Sequence, residues 1–321
     1  MFSSMTRSVS LSLLFVSLAA TVEPNKPSKT SVWVTTARAI GAKNPDPELR
    51  NPDYLAIKFL GPSERAILAD EYPMDALDLD YVEAIKRIPA PVAAHVSRTK
   101  YIDAALVAAL GDGAKQVVIL GAGFDTRGLR FENLLKGVRF LEVDYGPTQE
   151  YKKRRTIEIF GSLPRHIGYV PMDFTKDDLL TQLRHAGYAD KDKSFFVWEG
   201  VVMYIPEAAV KDTLHFVRAH SAAGSRVIFN YPLAGNPDVT DPNSRYVRWG
   251  EPWVFGFPGE SAVAFVRKEG LEVVSDVSGL DLIRQSSARS DGTSNLAVKS
   301  PPAGRDLRFC VARVPLNGRQ Q

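Results

Sequence analysis

The last two thirds of the chain alternate short apolar runs with longer amphipathic ones. The first of these runs, 117–120, is wholly apolar and rich in β-branched residues, which is typical of a strand buried on both faces of a parallel sheet. These predicted strands cover residues 117–120, 139–144, 167–170, 194–200 and 225–231. Amphipathic helices are predicted between them at 147–159, 177–186 and 206–220. Alternation of this kind predicts an α/β fold with a Rossmann-like, doubly wound and mostly parallel sheet.

The two ends of this pattern differ from its middle. Residues 25–115 have helical spacing, which is clearest at 95–110, and they predict an N-terminal helical cap packed on a core formed by residues 116–321. Two runs at 271–277 and 308–314 predict a C-terminal antiparallel pair of strands. Residues 232–256 are rich in Pro, Asn, Asp and Gly and predict a long loop, and the polar stretch 286–302 predicts a flexible hairpin excursion.

The first 24 residues form a separate segment with a basic residue, an apolar stretch and small residues near its end. This order resembles a secretory signal peptide, and it is too short to predict a stable membrane span. Two alternatives stay open. The segment could be a disordered or amphipathic leader, or the true start could be Met5 with an upstream start codon included in the sequence. We expect a cytoplasmic protein, with export as the alternative if the segment acts as a signal.

Composition narrows the function classes further. The net charge of +3 is small, and the densest basic run, Lys152 to Arg155, is typical of a solvated helix face rather than of a nucleic-acid interface. A single cysteine, Cys310, excludes an intrachain disulfide and a multi-cysteine zinc site. The five histidines have no metal-binding spacing. We therefore expect no metal and no nucleic-acid partner.

A glycine turn follows the first predicted strand. Gly121 and Gly123 allow the chain to turn sharply and a ligand to approach bare backbone, as in a nucleotide-binding βα unit. Asp125 and Thr126 are suited to begin a following helix. The dinucleotide pattern GxGxxG requires a third glycine where Thr126 stands, so the match is incomplete.

Acidic residues end the next predicted strands. Asp144 follows Gly123 by 21 residues, close to the spacing expected of an acid that binds ribose hydroxyls. Asp173 follows the third strand and Glu199 ends the fourth. Because the carboxyl ends of parallel strands meet at one edge of a sheet, these groups are predicted to converge on one crevice.

Three phrases identify a family resemblance: VILGAGFDTR at 118–127, FLEVD at 140–144 and VWEGVVMY at 197–204. Together and in this order they resemble the leucine carboxyl methyltransferase family, and most closely its bacterial-type branch of unknown substrate. The resemblance covers the chain from about residue 28 to its end. It implies the class I topology of S-adenosyl-L-methionine-dependent O-methyltransferases.

The resemblance also implies roles for the residues at the strand ends. Gly121 and Gly123 would pass under the methionine part of S-adenosyl-L-methionine. Asp144 would accept hydrogen bonds from the ribose hydroxyls. Asp173 and its neighbour Phe174 would bracket the adenine.

Two further residues would bind the charged end of the cofactor. Glu199 would face its amino group or sulfonium, and Arg98, on the helix before the first strand, would hold its carboxylate as a bidentate donor. Lys29 is a weaker candidate for the same carboxylate. A buried ion pair is the alternative interpretation of Glu199.

The reaction implied is methyl transfer to a carboxylate or hydroxyl of an acceptor, most plausibly a small molecule, with a protein carboxylate as the alternative. A carboxylate is ionised near neutral pH and needs no general base, and no base is assigned. The acceptor pocket is predicted between the front helices and residues 232–256. A nicotinamide-dependent oxidoreductase on the same fold, disfavoured by the missing third glycine, and a non-catalytic cofactor-binding protein stay open as alternatives.

Overall fold

The computed structural model describes residues 26–288 and 304–316. The leader predicted at 1–24 and most of the excursion predicted at 286–302 lie outside the described residues. The described chain contains one seven-stranded sheet. Its strands are β1 (Gln116–Leu120), β2 (Arg139–Asp144), β3 (Ile167–Pro171), β4 (Ser194–Trp198), β5 (Arg226–Tyr231), β6 (Glu272–Ser278) and β7 (Arg308–Arg313).

The strands lie in the order β3-β2-β1-β4-β5-β7-β6. Strands β1 to β5 pair in parallel, while β7 runs antiparallel to both β5 and β6. The mostly parallel sheet with a C-terminal antiparallel pair, predicted from the sequence, is therefore confirmed. The chain reverses its direction of winding between β1 and β4, and this switch point opens a crevice at the carboxyl ends of both strands.

Twelve α-helices surround this sheet in the described residues. They are α1 (Lys29–Gly41), α2 (Pro62–Leu68), α3 (Tyr81–Arg87), α4 (Pro89–Gly111), α5 (Arg127–Arg130), α6 (Gly146–Phe160), α7 (Leu179–His185), α8 (Glu207–Ala219), α9 (Pro237–Thr240), α10 (Arg245–Arg248), α11 (Val263–Lys268) and α12 (Gly279–Ser287). Short 3₁₀ turns occur at Ala56–Phe59, Met74–Asp78 and Val202–Tyr204.

Side-chain alternation along β1 explains why the sheet is covered on both faces. Val118 and Leu120 belong to a core shared with α7 and α8, whereas Val117 and Ile119 belong to a core on the opposite face. That second core includes residues of α4, so the longest helix of the front region packs directly on the sheet. Strand β1 is buried at all five positions, as the apolar run at 117–120 predicts for four of them; the fifth is the polar Gln116.

A third apolar cluster joins the front helices to the region after β5. It contains Ile40 of α1, Phe59 and Val92 together with Tyr246 and Trp253 from residues 232–256. The predicted long loop is thus partly helical, because it contains α9 and α10. Asn236 and Ser244 cap these helices through their side chains. Closely spaced Pro, Asn and Ser residues are typical of turns, so the sequence pattern did not indicate these two single-turn helices.

Helix α12 is a further element that the sequence prediction missed. Ser278 caps it, with its side chain accepting a hydrogen bond from Asp281 N. Leu282 and Ile283 are buried, and the helix packs against α4. The helix overlaps only the first two residues of the excursion predicted at 286–302 and otherwise occupies residues for which the sequence pattern predicted no element. None of the helices in the described ranges combines the length and the apolar character needed to cross a bilayer.

Candidate functional site

A cavity of about 430 Å³ opens at the carboxyl ends of the central strands. Its size is within the range of small-molecule sites. The structure brings all seven predicted site residues to the wall of this cavity: Arg98, Gly121, Gly123, Asp144, Asp173, Phe174 and Glu199. We call this group the strand-end wall.

The glycine turn brings bare backbone to the cavity. Gly121 has φ +72° and Gly123 has φ +44°, both in the left-handed region that favours glycine. A Cβ on Gly121 would lie 2.1 Å from Cγ2 of Val201, and one on Gly123 would lie 3.0 Å from Oγ of Ser31. Larger residues at either position would push against the elements that line the cavity. The turn thus requires glycine at both positions.

Asp144 closes the turn from the end of β2. Its carboxylate accepts hydrogen bonds from the backbone N–H of Gly123 and, at 2.7 Å, from that of Tyr145. Burial raises the pKa of this carboxyl above its usual range, and the two backbone donors oppose that effect. The side chain is consequently held in one orientation beside the turn, on the wall of the cavity.

Asp173 lies at the edge of the strand-end wall. Its carboxylate accepts hydrogen bonds from Thr175 Oγ1 at 2.6 Å and pairs with Lys176 at 2.9 Å. Burial opposes ionisation here, but these donors lower the pKa below its usual value. Phe174 follows directly and contributes a half-buried aromatic ring.

Glu199 occupies the centre of the wall between two arginines. Its carboxylate pairs with Nε of Arg98 and, at 2.7 Å, with an Nη of Arg127. Burial alone would raise the pKa of Glu199, but Arg98 and Arg127 hold it far below its usual range. Glu199 therefore lies on the cavity wall, as predicted, and it is also a buried ion-pair partner, as the alternative interpretation proposed.

Arg127 is the residue of this region that the sequence reasoning missed. It is 1% exposed, and its guanidinium contacts Asp103, Asp125 and Glu199. Burial disfavours its charge, yet the three carboxylates raise its pKa well above the usual value. Arg127 is the last residue of VILGAGFDTR, so its position shortly after the glycine turn could have identified it from the sequence.

A second part of the cavity lining is aromatic. Trp33, Tyr204, Tyr246 and Trp253 line it, and we call these four residues the aromatic wall. The rings of Tyr246 and Trp253 stack with centroids 4.4 Å apart, and Tyr204 packs edge-on against Trp253 at 6.4 Å. The hydroxyl of Tyr204 also contacts Thr30 Oγ1 at 3.3 Å. The wall presents ring surface and few polar atoms to a bound molecule.

Residues after β5 form hydrogen bonds with the start of α1, which borders the cavity. Glu251 accepts hydrogen bonds from Lys29 N and Ser28 Oγ, both at 2.7 Å, at the end of the helix where a negative charge is favourable. The side chain of Lys29 pairs with Glu71 at 2.7 Å, and Trp249 donates to the same carboxylate. Lys29, the weaker sequence candidate for a cofactor contact, is thus engaged away from the strand-end wall.

Comparison with known proteins identifies relatives over most of this region. The family model described as "Leucine carboxyl methyltransferase" matches residues 31–218, more than half of the chain. A Frankia alni protein, named as a candidate S-adenosyl-L-methionine-dependent methyltransferase, is 31% identical over 209 residues, covering 65% of this chain and 70% of the relative. A Bacillus subtilis protein with the same description is 35% identical over 153 residues, covering 48% of this chain and 49% of the relative. The alignment thus spans about half the length of that relative.

The fold is also similar to that of a solved structure. The crystal structure of a DUF574 family protein from Streptomyces avermitilis matches with a TM-score of 0.50 at 17% identity, over 78% of this chain and 95% of that one. At this identity the likeness concerns the fold alone. From its phrases, its sheet and the extent of the family match, the chain belongs to the leucine carboxyl methyltransferase family.

Proposed function

We propose that the protein is an S-adenosyl-L-methionine-dependent methyltransferase that methylates an oxygen of its acceptor. S-adenosyl-L-methionine supplies a methyl group that its sulfonium has already activated for displacement. The protein then has to bind the two reactants, align them and keep water out. Family membership and the names of the relatives support this class of activity.

One observation carries the proposal: the glycine turn, Asp144 and Glu199 meet on one cavity although they follow three different strands. Their chemistry fits the proposed cofactor. The turn allows close approach to its backbone, and carboxylates suit a ribose diol and a cation. Such a set at the switch point of a parallel sheet is the usual location of a nucleotide ligand.

The pairing of Arg98 with Glu199 supports a role for both at the charged end of the cofactor. An amino acid moiety carries a carboxylate and an ammonium, and it matches a guanidinium beside a carboxylate. We expect Arg98 to bind the former and Glu199 the latter. Asp173 and Phe174 belong to the same wall, and we expect an adenine ring to lie there between a hydrogen-bond acceptor and an aromatic face.

Calorimetric titration with S-adenosyl-L-methionine and with its demethylated product tests this assignment. Replacing Asp144 with Asn should weaken binding by about 1–3 kcal/mol, because charged hydrogen bonds to the ribose are lost. Asp192→Asn is the matched control, since Asp192 is 44% exposed at the amino end of β4 and should bind as the wild type does. Unchanged affinity of Asp144→Asn would contradict the ribose assignment.

The alternatives predict different results. A nicotinamide-dependent oxidoreductase, which the family membership does not favour, should respond to nicotinamide cofactors and not to S-adenosyl-L-methionine. A non-catalytic relative should bind S-adenosyl-L-methionine but transfer no methyl group to any acceptor. Absence of binding by the folded wild-type protein would contradict the proposed function itself.

A further inference from the structure

The imidazole of His95 lies on the cavity wall, one turn before Arg98 on α4. The residue His95 is only 5% exposed. Nδ1 contacts the carbonyl oxygen of Pro91 at 2.8 Å. A carbonyl only accepts hydrogen bonds, so Nδ1 carries the proton and donates. Nε2 is then the unprotonated nitrogen of the neutral ring.

Nε2 is buried and has no hydrogen-bond partner among the residues that the structure describes. A buried acceptor without a donor is unfavourable, so such atoms are rare and each one calls for an explanation such as a catalytic role or a bound partner. His95 is thus a polar side chain on the wall of a substrate-sized cavity with one acceptor position left over.

The surroundings keep this ring neutral. Burial, and then the positive charge of Arg98, lower the pKa of His95 to about 3. The nearby charges are those of Arg98, Glu199 and Arg38, and the first two neutralise each other as a pair. Near pH 7 the imidazole therefore offers a lone pair and no charge.

We propose that Nε2 of His95 accepts a hydrogen bond from a hydroxyl group of the methyl acceptor, so that the acceptor is a phenol or another apolar alcohol rather than a carboxylate. This inference rests on the proposed methyltransferase function and names its substrate class. An ionised carboxylate brings no proton to Nε2 and would place its negative charge against a lone pair. A hydroxyl satisfies the leftover acceptor position directly.

The reaction balances with His95 in this role. The hydroxyl oxygen forms a bond to the methyl carbon as the methyl–sulfur bond breaks, the bonding electron pair leaves with sulfur, and the hydroxyl proton moves to Nε2. An alkylated oxygen is strongly acidic, so a nitrogen with a lowered pKa is still basic enough to take its proton. The reacting groups carry one positive charge before the step, on sulfur, and one after it, on the imidazole.

The neighbours of His95 indicate the rest of the acceptor. The ring packs edge-on against Trp33, with centroids 5.2 Å apart, and Trp33 is part of the aromatic wall. Pro91 and Ala94 add apolar surface from the same helix. A flat, apolar molecule with its hydroxyl at His95 would bury its carbon skeleton against these groups.

Two variants of His95 separate its acceptor nitrogen from its structural hydrogen bond. His95→Asn retains a side-chain donor at the position of Nδ1, which can still reach Pro91, but removes the acceptor at Nε2. His95→Gln places an amide oxygen near the position of Nε2. His215→Asn is the control, because His215 is exposed on α8.

The assay uses matched acceptors, naphthol and other apolar alcohols against naphthoate and the corresponding carboxylates, with S-adenosyl-L-methionine. We expect methyl transfer to the hydroxyl series. His95→Asn should lower kcat/KM for it by at least about 100-fold. His95→Gln should recover part of that loss, and His215→Asn should match the wild type. Cofactor affinity, measured by calorimetry, should be unchanged in all three variants.

A second measurement does not depend on turnover. Titrating naphthol into the protein saturated with demethylated cofactor should shift the NMR signal of Nε2 of His95, assigned by its absence in His95→Asn, and naphthoate should leave it in place. Methyl transfer to carboxylates only, transfer to no hydroxyl compound despite cofactor binding, or full activity of His95→Asn would overturn the inference. Failure of the wild type to bind cofactor would instead overturn the proposed function.

Discussion

The two walls of the cavity are built in opposite ways. The strand-end wall consists of groups that follow β1, β2, β3 and β4, together with Arg98 of α4. It contains an ionic group, with Glu199 held by Arg98 and Arg127. The aromatic wall is assembled from α1, the 3₁₀ turn at Val202–Tyr204 and the region after β5. It has stacked rings and no ion pair between its members.

This difference suggests that the two walls have different tasks in binding. A sheet edge provides fixed positions, so charged groups there suit a ligand whose charges do not vary. Packed rings on helices and short turns define a surface whose shape changes when any one of these residues is replaced. We expect the strand-end wall to be the part shared within the fold, and the aromatic wall, together with His95, to carry what is particular to this chain.

The largest expected effect comes from breaking the ionic wall. Replacing Arg127 with Met removes the cation that three buried carboxylates share. Glu199 retains Arg98 and Asp103 retains Arg130, but Asp125 loses its ion pair, and we expect the free energy of unfolding to fall by about 3–5 kcal/mol in urea titrations. Arg87→Met is the control, because that side chain is 52% exposed and its pairing with Asp75 at 3.7 Å contributes less than about 1 kcal/mol. Equal losses in the two variants would remove the contrast between the walls.

A smaller effect is expected where the region after β5 holds α1. Glu251→Gln weakens the hydrogen bonds to Ser28 and Lys29, and should lower the free energy of unfolding by about 2 kcal/mol. Amide exchange at the start of α1 should become faster, because the helix end loses its anion. Glu260, which is exposed, provides the control variant Glu260→Gln. Unaltered exchange in Glu251→Gln would mean that the aromatic wall is held by ring packing alone.

A third effect depends on pH and tests whether His95 is neutral in the folded protein. Its folded-state pKa of about 3 lies below the ordinary 6.5, so on acidification the unfolded chain takes up the proton first. His95 therefore contributes a loss of stability as the pH falls below 6.5, with a slope of at most about 1.4 kcal/mol per pH unit. Relative to wild type, His95→Asn should gain stability between about pH 6 and pH 4 in urea titrations, since it lacks this slope. A constant difference across that range would show that the ring is protonated in the folded protein.

Much of this architecture could be predicted because it is encoded over short distances. The apolar run at β1 and the glycines after it specify a strand and a turn within eight residues. Asp144, Asp173 and Glu199 could be placed at strand ends from spacing alone. Helix α12 was missed because only Leu282 and Ile283 mark its buried side, and α9 and α10 because each is a single turn stabilised by one capping side chain.

The sequence by itself determined the sheet, the order of its helices and the acids at its edge, since alternation, capping and turn chemistry act between neighbouring residues. Tertiary structure alone decided how those groups are paired. Glu199 meets Arg98 across 101 residues of chain and Arg127 across 72, and Glu251 reaches Ser28 across 223. It also decided that Nε2 of His95 is buried without a donor. Such contacts depend on the closure of long loops and on the packing of distant elements, and no local pattern of residues contains that information.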